Sequence, residues 1–222
     1  MKIGATSWQI PGTYLENVKL ISPELDFVEL LVYTWDSDTK LLLDSEIKSI
    51  LDITDISIHL PTDRIENVKS AVDYMKQYPI LNMTLHPLKP FEELFNWYFN
   101  ELDEMARGKV TLENLEDESF YEFMDIVKKR NKNIQITMDY GHLIYREKDV
   151  NLFCREYSGN IKEIHFHGVQ NGKDHKEPVE NVYTDFKSMV ERFDLGEDIP
   201  ICIETFEWDK TKEIARRLKK LV

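Results

Sequence analysis

The chain has 222 residues, of which 42% are hydrophobic and 31% are charged, and a formal net charge of -13. This composition is typical of a globular protein, and we expect one domain that spans residues 1–222. The acidic excess argues against binding to nucleic acid, because such binding draws most of its affinity from lysine and arginine.

Short apolar strands alternate with amphipathic helices along the chain. Strands are predicted at residues 2–8, 26–33, 55–60, 80–86, 109–115, 133–139, 161–167 and 199–205. Helices are predicted at residues 65–78, 91–106, 119–130, 182–193 and 209–222. The strands read as buried on both faces, and their repeated alternation with helices predicts a parallel sheet closed as a compact TIM barrel. An open doubly wound sheet is the alternative, but no glycine-rich phosphate motif follows the first strand.

Residues that can bind a metal or carry a proton stand at the carboxyl ends of the predicted strands. From the third strand to the eighth they are His59, His86, Glu113, Asp139 with His142, His165 with His167, and Glu204. The loop after the seventh strand adds Lys173, Asp174 and His175. Each residue alone is compatible with a structural role. The set is not, because the carboxyl ends of a parallel barrel meet at one face, where active sites form.

Two local patterns refine the orientation of these side chains. His165 and His167 are two residues apart, so they share one face of a strand. Asp139 and His142 fit a strand end followed by a tight turn through Gly141, which directs both groups into the same space. Both patterns favour a chelating site.

Carboxylates and imidazoles without thiolates suit a divalent cation such as Zn, Mn, Fe or Co. We expect one to three such ions, because lysine and arginine are scarce around these acidic groups and a cation supplies the missing positive charge.

Several motifs resemble those of the xylose-isomerase-like TIM barrels, which include sugar-phosphate isomerases, epimerases and endonuclease IV. DYGH with Asp139, TLENL with Glu113, IHFHG with the following DH, and IPICIET with Glu204 are similar to the ligand-bearing strands of that superfamily. HLP at His59 and LHP at His86 are similar to the additional histidines of its multi-metal members.

Within that superfamily, His-x-His-Gly-Val followed by Gly-Lys-Asp-His most resembles the cobamide-remodelling phosphodiesterases, which cut the nucleotide loop of cobamides to give cobinamide products. The opening IGATSWQIPGTYLENV and the segment VELLVY with Glu29 are similar as well. The resemblance implies one ion held by Glu113, Asp139, His165 and Glu204. It implies further ions held by His59, His86, His142, Asp174 and His175.

The same resemblance implies phosphoester hydrolysis, in which we take Glu113 and Glu204 as catalytic. Lys173 is a candidate to neutralise phosphate charge, and its place in a glycine-flanked loop is equally that of a mobile surface lysine. A broad pocket for a planar corrinoid is expected to include Glu29, Trp8, Tyr33, Trp35, His167, Tyr140 and Trp208. The aromatic residues of this set are equally compatible with packing of helices onto the barrel rim.

Two other functions use the same ligands. A sugar or sugar-phosphate isomerase or epimerase would use one metal and take Glu113 and Glu204 as its acid and base. A metal-dependent corrinoid-binding protein would bind without turnover. Cleavage of abasic DNA ranks last, because the negative charge opposes DNA.

The cellular setting follows from what the sequence lacks. Cys154 and Cys202 form neither a disulfide framework nor a thiolate motif, and no apolar run is long enough to cross a bilayer. The N-terminus opens as a strand, without the regions of a signal peptide. We expect a cytoplasmic protein with a small-molecule substrate, and the sequence leaves its oligomeric state open.

Overall fold

Strands and helices alternate through residues 1–221, the part of the chain that the computed structural model describes. The strands are β1 (Ile3–Thr6), β2 (Phe27–Leu31), β3 (Asp55–His59), β4 (Met83–Leu85), β5 (Val110–Glu113), β6 (Gln135–Asp139), β7 (Ile161–Phe166), β8 (Gly168–Gln170), β9 (Lys173–Lys176) and β10 (Ile201–Ile203). The helices are α1 (Tyr14–Ile21), α2 (Ser37–Leu51), α3 (Ile65–Met75), α4 (Phe91–Asn96), α5 (Glu104–Arg107), α6 (Ser119–Lys129), α7 (Tyr140–Tyr145), α8 (Val150–Tyr157), α9 (Glu180–Arg192) and α10 (Trp208–Leu218).

Eight parallel strands close into a barrel in the order β1-β10-β7-β6-β5-β4-β3-β2. Closure places the first strand beside the last, with Ile3 opposite Ile201. Each predicted strand segment contains one barrel strand, so the predicted TIM barrel is confirmed and the open sheet is excluded. The carboxyl ends of all eight strands meet at one face, which we call the mouth.

Side-chain alternation along the strands decides which residues reach the barrel interior. In β3, Ile56 and Ile58 alternate with Ser57 and His59, so the apolar pair faces the helices and the polar pair faces inward. Ser57 donates a hydrogen bond of 3.1 Å to Glu163 inside the barrel. The interior therefore contains buried polar groups, and the apolar core lies mainly between strands and helices.

The helix predicted at residues 91–106 is interrupted. After α4 the chain forms a π-helical turn, Trp97–Glu101, before α5 begins. Trp97, Tyr98 and Phe99 are all buried, and three consecutive residues do not share one face of a regular α-helix. The last predicted helix, 209–222, ends earlier, at Leu218, and its final residue lies outside the described part of the chain.

The loop expected after the seventh strand is an antiparallel hairpin of β8 and β9. Its turn contains Asn171 and Gly172, whose φ angles are 54° and 67°. Asn-Gly is a strong hairpin signal, because both residues adopt positive φ with little strain. Within residues 1–221, no helix is long and apolar enough to cross a membrane.

Candidate metal centre

A central cluster at the mouth joins Glu113, Asp139, His165 and Glu204, whose ligand atoms lie within 4.8 Å of one another. All of these side chains are buried. The Nδ1 atom of His165 lies 2.8 Å from a carboxylate oxygen of Glu113 and 3.4 Å from one of Glu204. The central cluster thus brings together the residues that the resemblance implied as ligands of one ion.

A second cluster consists of His59, His86 and Glu113. The Nε2 atoms of His86 and His59 lie 2.9 Å and 3.4 Å from the same carboxylate oxygen of Glu113. The two histidine Nε2 atoms are 3.2 Å apart. Since its other oxygen contacts His165, Glu113 is common to the central and second clusters.

A third cluster contains His142, His167 and His175. Asp139 connects it to the central cluster, because its carboxylate oxygens lie 3.2 Å from His142 Nδ1 and 3.2 Å from His167 Nε2. Asp174 is more distant, at 3.9 Å from His142 Nε2. His165, on β7, therefore belongs to the central cluster. His167, which directly follows β7, belongs to the third cluster.

The electrostatics of the mouth favour a cation. Burial lowers the pKa of His59, but its hydrogen bond with Glu113 and the charge of Glu113 raise that pKa to about 9. Burial likewise opposes protonation of His142, yet the charge of Asp139 raises its pKa to about 9. Burial alone would raise the pKa of Glu113. The positive charge of His165 outweighs this effect of burial and holds the pKa of Glu113 well below the usual range. The carboxylates thus attract positive charge, which protons or a divalent cation can supply.

The donor atoms fit a divalent metal ion. The buried atom His175 Nδ1, which belongs to the third cluster, has no hydrogen-bond partner within residues 1–221. Imidazole nitrogens with carboxylate oxygens are ligands of Zn, Mn, Fe and Co. The two cysteines are buried, Cys154 on α8 and Cys202 on β10, and they belong to none of the clusters of the described residues.

Asp139 is held in place by its neighbours along and across the sheet. Its main-chain N–H donates to Asn114 Oδ1 at 2.9 Å, and Asn114 Nδ2 donates to the Asp139 carbonyl at 2.8 Å. Its side chain accepts from His142 N at 2.7 Å and so caps α7. The tight turn expected through Gly141 is therefore the first turn of a helix, because this cap satisfies a free N–H at its start.

Gly141 is required by close packing. A Cβ atom at this position would overlap the imidazole of His167. Glycine therefore lets α7 approach the end of β7, and this approach brings His142 beside His167, with ring centroids 5.3 Å apart.

Glu29 lies on the inner side of the cluster. It is wholly buried, and one of its oxygens is 3.3 Å from His165 Nε2. Glu163 lies in the same region. Its burial and, to a smaller extent, the nearby charge of Glu29 raise the pKa of Glu163 to about 8. Glu29, Glu163 and His165 thus form a fourth group of possible ligands inside the barrel, where Glu29 contacts the candidate ligand His165.

The aromatic residues considered for a planar pocket fall into two groups. Trp8 and Tyr33 lie at the mouth with ring centroids 6.0 Å apart, and Tyr33 contacts the His59 ring at 5.0 Å. The others pack away from the mouth histidines: Trp35 against Tyr74, Tyr140 between Phe166 of β7 and Phe186 of α9, and Trp208 against Lys212 of its own helix. Lys173 is exposed on β9.

Sequence reasoning did not identify Asn114, Gln9 or Phe206. Asn114 directly follows Glu113, a position that alternation assigns to the opposite face of a strand. It reaches Asp139 because β5 ends at Glu113. Phe206 follows β10 and contacts Trp8 and His175, with centroids 6.1 Å and 5.3 Å away. Its position two residues after Glu204 was the one sequence signal that could have placed Phe206 near the site.

A closed parallel barrel with linked histidine and carboxylate clusters at its mouth defines a TIM-barrel protein with a metal-type site. This chain belongs to the xylose isomerase-like TIM barrel family, whose model matches residues 42–221. The superfamily inferred from the sequence motifs is thereby confirmed. No curated protein matches the chain.

Solved structures share the fold over nearly the full chain. A xylose isomerase domain protein from Alicyclobacillus acidocaldarius has a TM-score of 0.68 and 10% identity, covering 100% of this chain and 98% of its own. A probable 3-DHS dehydratase from Bacillus anthracis has a TM-score of 0.62 and 14% identity, with coverages of 99% and 99%. A 3-keto-D-glucoside 4-epimerase from E. coli has a TM-score of 0.61 and 13% identity, with coverages of 100% and 98%. At such identities the likeness shows the fold alone.

Proposed function

We propose that this protein is a divalent-metal-dependent hydrolase of a phosphodiester, which cuts the nucleotide loop of cobamides and releases cobinamide. The observation that carries the proposal is the linkage of the three ligand clusters, through Glu113 and through Asp139. Phosphoester cleavage gains from several adjacent cations, because charge develops on both the attacking and the leaving oxygen. A single-metal isomerase has no need of the second and third clusters.

The central cluster would hold one ion, His59 and His86 with Glu113 a second, and the third cluster of His142, His167 and His175, beside Asp139, a third. When bound, divalent cations supply Lewis acidity to the phosphoryl oxygens and lower the pKa of water.

The protein groups orient the substrate and move protons. Glu204 and Glu113 both face His165, so these carboxylates flank the space in which a phosphoryl group would lie. Glu204 accepts a proton from the attacking water while the bond between phosphorus and the leaving oxygen breaks, and the leaving oxygen takes up a proton to become an alcohol. Glu113, which contacts histidines on both sides, fixes their spacing. Lys173, on the exposed hairpin, pairs with phosphate charge from the solvent side.

Incubation with adenosylated cobamides and Mn, Co or Zn, followed by chromatography, tests this proposal. Cobinamide is expected with at least one of the metals. Unchanged cobamide with every metal would contradict hydrolysis. If the cobamide stays intact but binds tightly, a corrinoid-binding protein without turnover is the better description.

A sugar or sugar-phosphate epimerase or isomerase is the second candidate. It is favoured by the placement of Glu113 and Glu204 beside one histidine, an arrangement that provides a base and an acid around a single metal site. Incubation with ketoses in deuterated solvent should then place deuterium on a substrate carbon. Absence of exchange, together with cobamide cleavage, would leave the hydrolase.

A further inference from the structure

An exposed apolar wall stands beside the metal-type clusters. Trp8, Ile10 and Phe206 are exposed large hydrophobic residues, and Trp8 is 57% exposed. Together with Gln9 and Pro11 they line a cavity of about 350 Å³. Exposed apolar side chains that gather around one cavity mark a binding surface more often than scattered ones do.

The wall is held rigidly by hydrogen bonds beneath it. Gln9 Nε2 donates to the carbonyl of Thr205 at 2.7 Å, and Gln9 Oε1 accepts from Thr211 Oγ1 at 2.8 Å. Asn17 Oδ1 accepts from the main-chain N–H groups of Gln9 and Ile10 at 2.9 Å and 3.1 Å. These bonds tie the loop after β1 to the loop after β10, so Trp8 and Phe206 stay exposed at a fixed place.

The wall is continuous with the ligand clusters. Phe206 contacts the His175 ring with centroids 5.3 Å apart, and Tyr33 contacts the His59 ring at 5.0 Å. On the other side of Trp8 lies a second cavity of about 350 Å³, lined in part by Tyr33. A group bound on this wall would therefore be close enough to belong to the same molecule as a group held at the clusters.

The chemistry of the first cavity favours an apolar group over a sugar. Apart from the indole N–H of Trp8, the amide of Gln9 is the one polar side-chain group in the lining, and both of its ends already bond to Thr205 and Thr211. Sugar hydroxyls need several hydrogen-bond partners when they lose water, and the side chains of this wall offer only the indole N–H of Trp8. A flat apolar group can instead stack against the aromatic rings.

We propose that the wall of Trp8, Ile10, Pro11 and Phe206 binds a flat apolar group that is attached to the phosphoester held at the ligand clusters. This inference rests on the proposed phosphoester chemistry and narrows its substrate class. It assigns ring recognition to the β1 and β10 side of the mouth. Trp35, Tyr140 and Trp208, which pack away from the mouth histidines, take no part in it.

Calorimetric titration of the Zn²⁺-loaded protein with 1-naphthyl phosphate, methyl phosphate and glucose 6-phosphate tests the proposal. 1-Naphthyl phosphate is expected to bind about tenfold more tightly than either of the others. The double variant Trp8→Ala/Phe206→Ala should reduce that preference to about twofold or less, with methyl phosphate binding unchanged. Leu152→Ala is the matched control, since Leu152 is 58% exposed on α8 and lines neither cavity.

Equal binding of all three phosphates by the wild-type protein would overturn the proposal, and so would tightest binding of glucose 6-phosphate. If the double variant lost affinity for methyl phosphate as much as for 1-naphthyl phosphate, Trp8 and Phe206 would have a structural role only, and the proposal would be wrong. The cobamide assay separates this inference from the proposed function: a naphthyl preference without cobamide cleavage contradicts only the function. Cobamide cleavage without a naphthyl preference contradicts only the inference.

Discussion

Glu113 is the side chain on which the candidate site depends most. Its two carboxylate oxygens contact histidines from three different strands or strand ends, namely His165, His86 and His59. A carboxylate in this position is able to serve two ions at once, and its negative charge compensates theirs. Replacing it should affect both clusters together.

Glu113→Gln keeps the size of the side chain but removes the charge. We expect bound metal to fall by about half or more and turnover to fall by at least about 100-fold, because two clusters lose their shared ligand. Metal analysis and the cobamide assay measure these effects. Glu118→Gln is the control, since Glu118 pairs with Arg146 and Lys148 at the surface. Full metal content in Glu113→Gln would argue against a shared ligand.

Gly141 offers a second test at the residue scale. Alanine would favour the helix by about 1 kcal/mol, yet its Cβ would overlap the His167 ring. We therefore expect Gly141→Ala to lower the free energy of unfolding by about 1–3 kcal/mol in a urea titration. Gly159→Ala meets no neighbouring atom and should change it by less than about 0.5 kcal/mol. If Gly141→Ala were as stable as Gly159→Ala, α7 would not pack closely against His167.

At the scale of elements, the loops after β1 and β10 depend on one side chain. Gln9 connects them through Thr205 and Thr211, and all three residues are buried. We expect Gln9→Ala to lower the free energy of unfolding by about 1–3 kcal/mol, since buried partners lose their bonds. Gln77→Ala removes an exposed bond to Tyr74 and should cost less than about 0.5 kcal/mol. If Gln9→Ala left the free energy of unfolding unchanged, this result would contradict a wall that Gln9 holds in place.

The packing of α8 on the barrel can be tested by thiol chemistry. Cys154 faces β6, with its sulfur 3.9 Å from that of Met138, and burial raises its pKa to about 12. Burial also raises the pKa of Cys202 well above the usual range. At about pH 8 both thiols stay protonated, so iodoacetamide should label them more than about 100-fold more slowly than free cysteine. Labelling should become fast in denaturant, whereas fast labelling of the native protein would mean that α8 opens.

At the scale of the whole molecule, parallel topology made the site predictable. Once eight strands are assigned to one barrel, every strand end must reach the same face, so His59, Glu113, Asp139 and Glu204 converge without further information. Strand alternation added that His165 and His167 share one face of their strand. The family resemblance added which of these residues would bind the same ion.

Other features depend on contacts that the sequence order does not encode. Asn114 supports Asp139 across neighbouring strands, and the packing of Tyr140 against Phe186 depends on how α7 and α9 lie on the barrel. The β8–β9 hairpin was expected only as a loop, although Asn171-Gly172 is a recognisable hairpin turn. Sequence patterns thus give the ligands more readily than the residues that support them.

The metal content of the purified protein tests the central claim most directly. After treatment with chelator, reloading with Zn, Mn or Co and removal of excess ion, we expect about one to three tightly held ions per chain by mass spectrometry. Anomalous scattering from crystals of that protein should place at least one ion between Glu113, Asp139, His165 and Glu204. A protein that retains no ion, or holds ions only at its surface, would contradict the account.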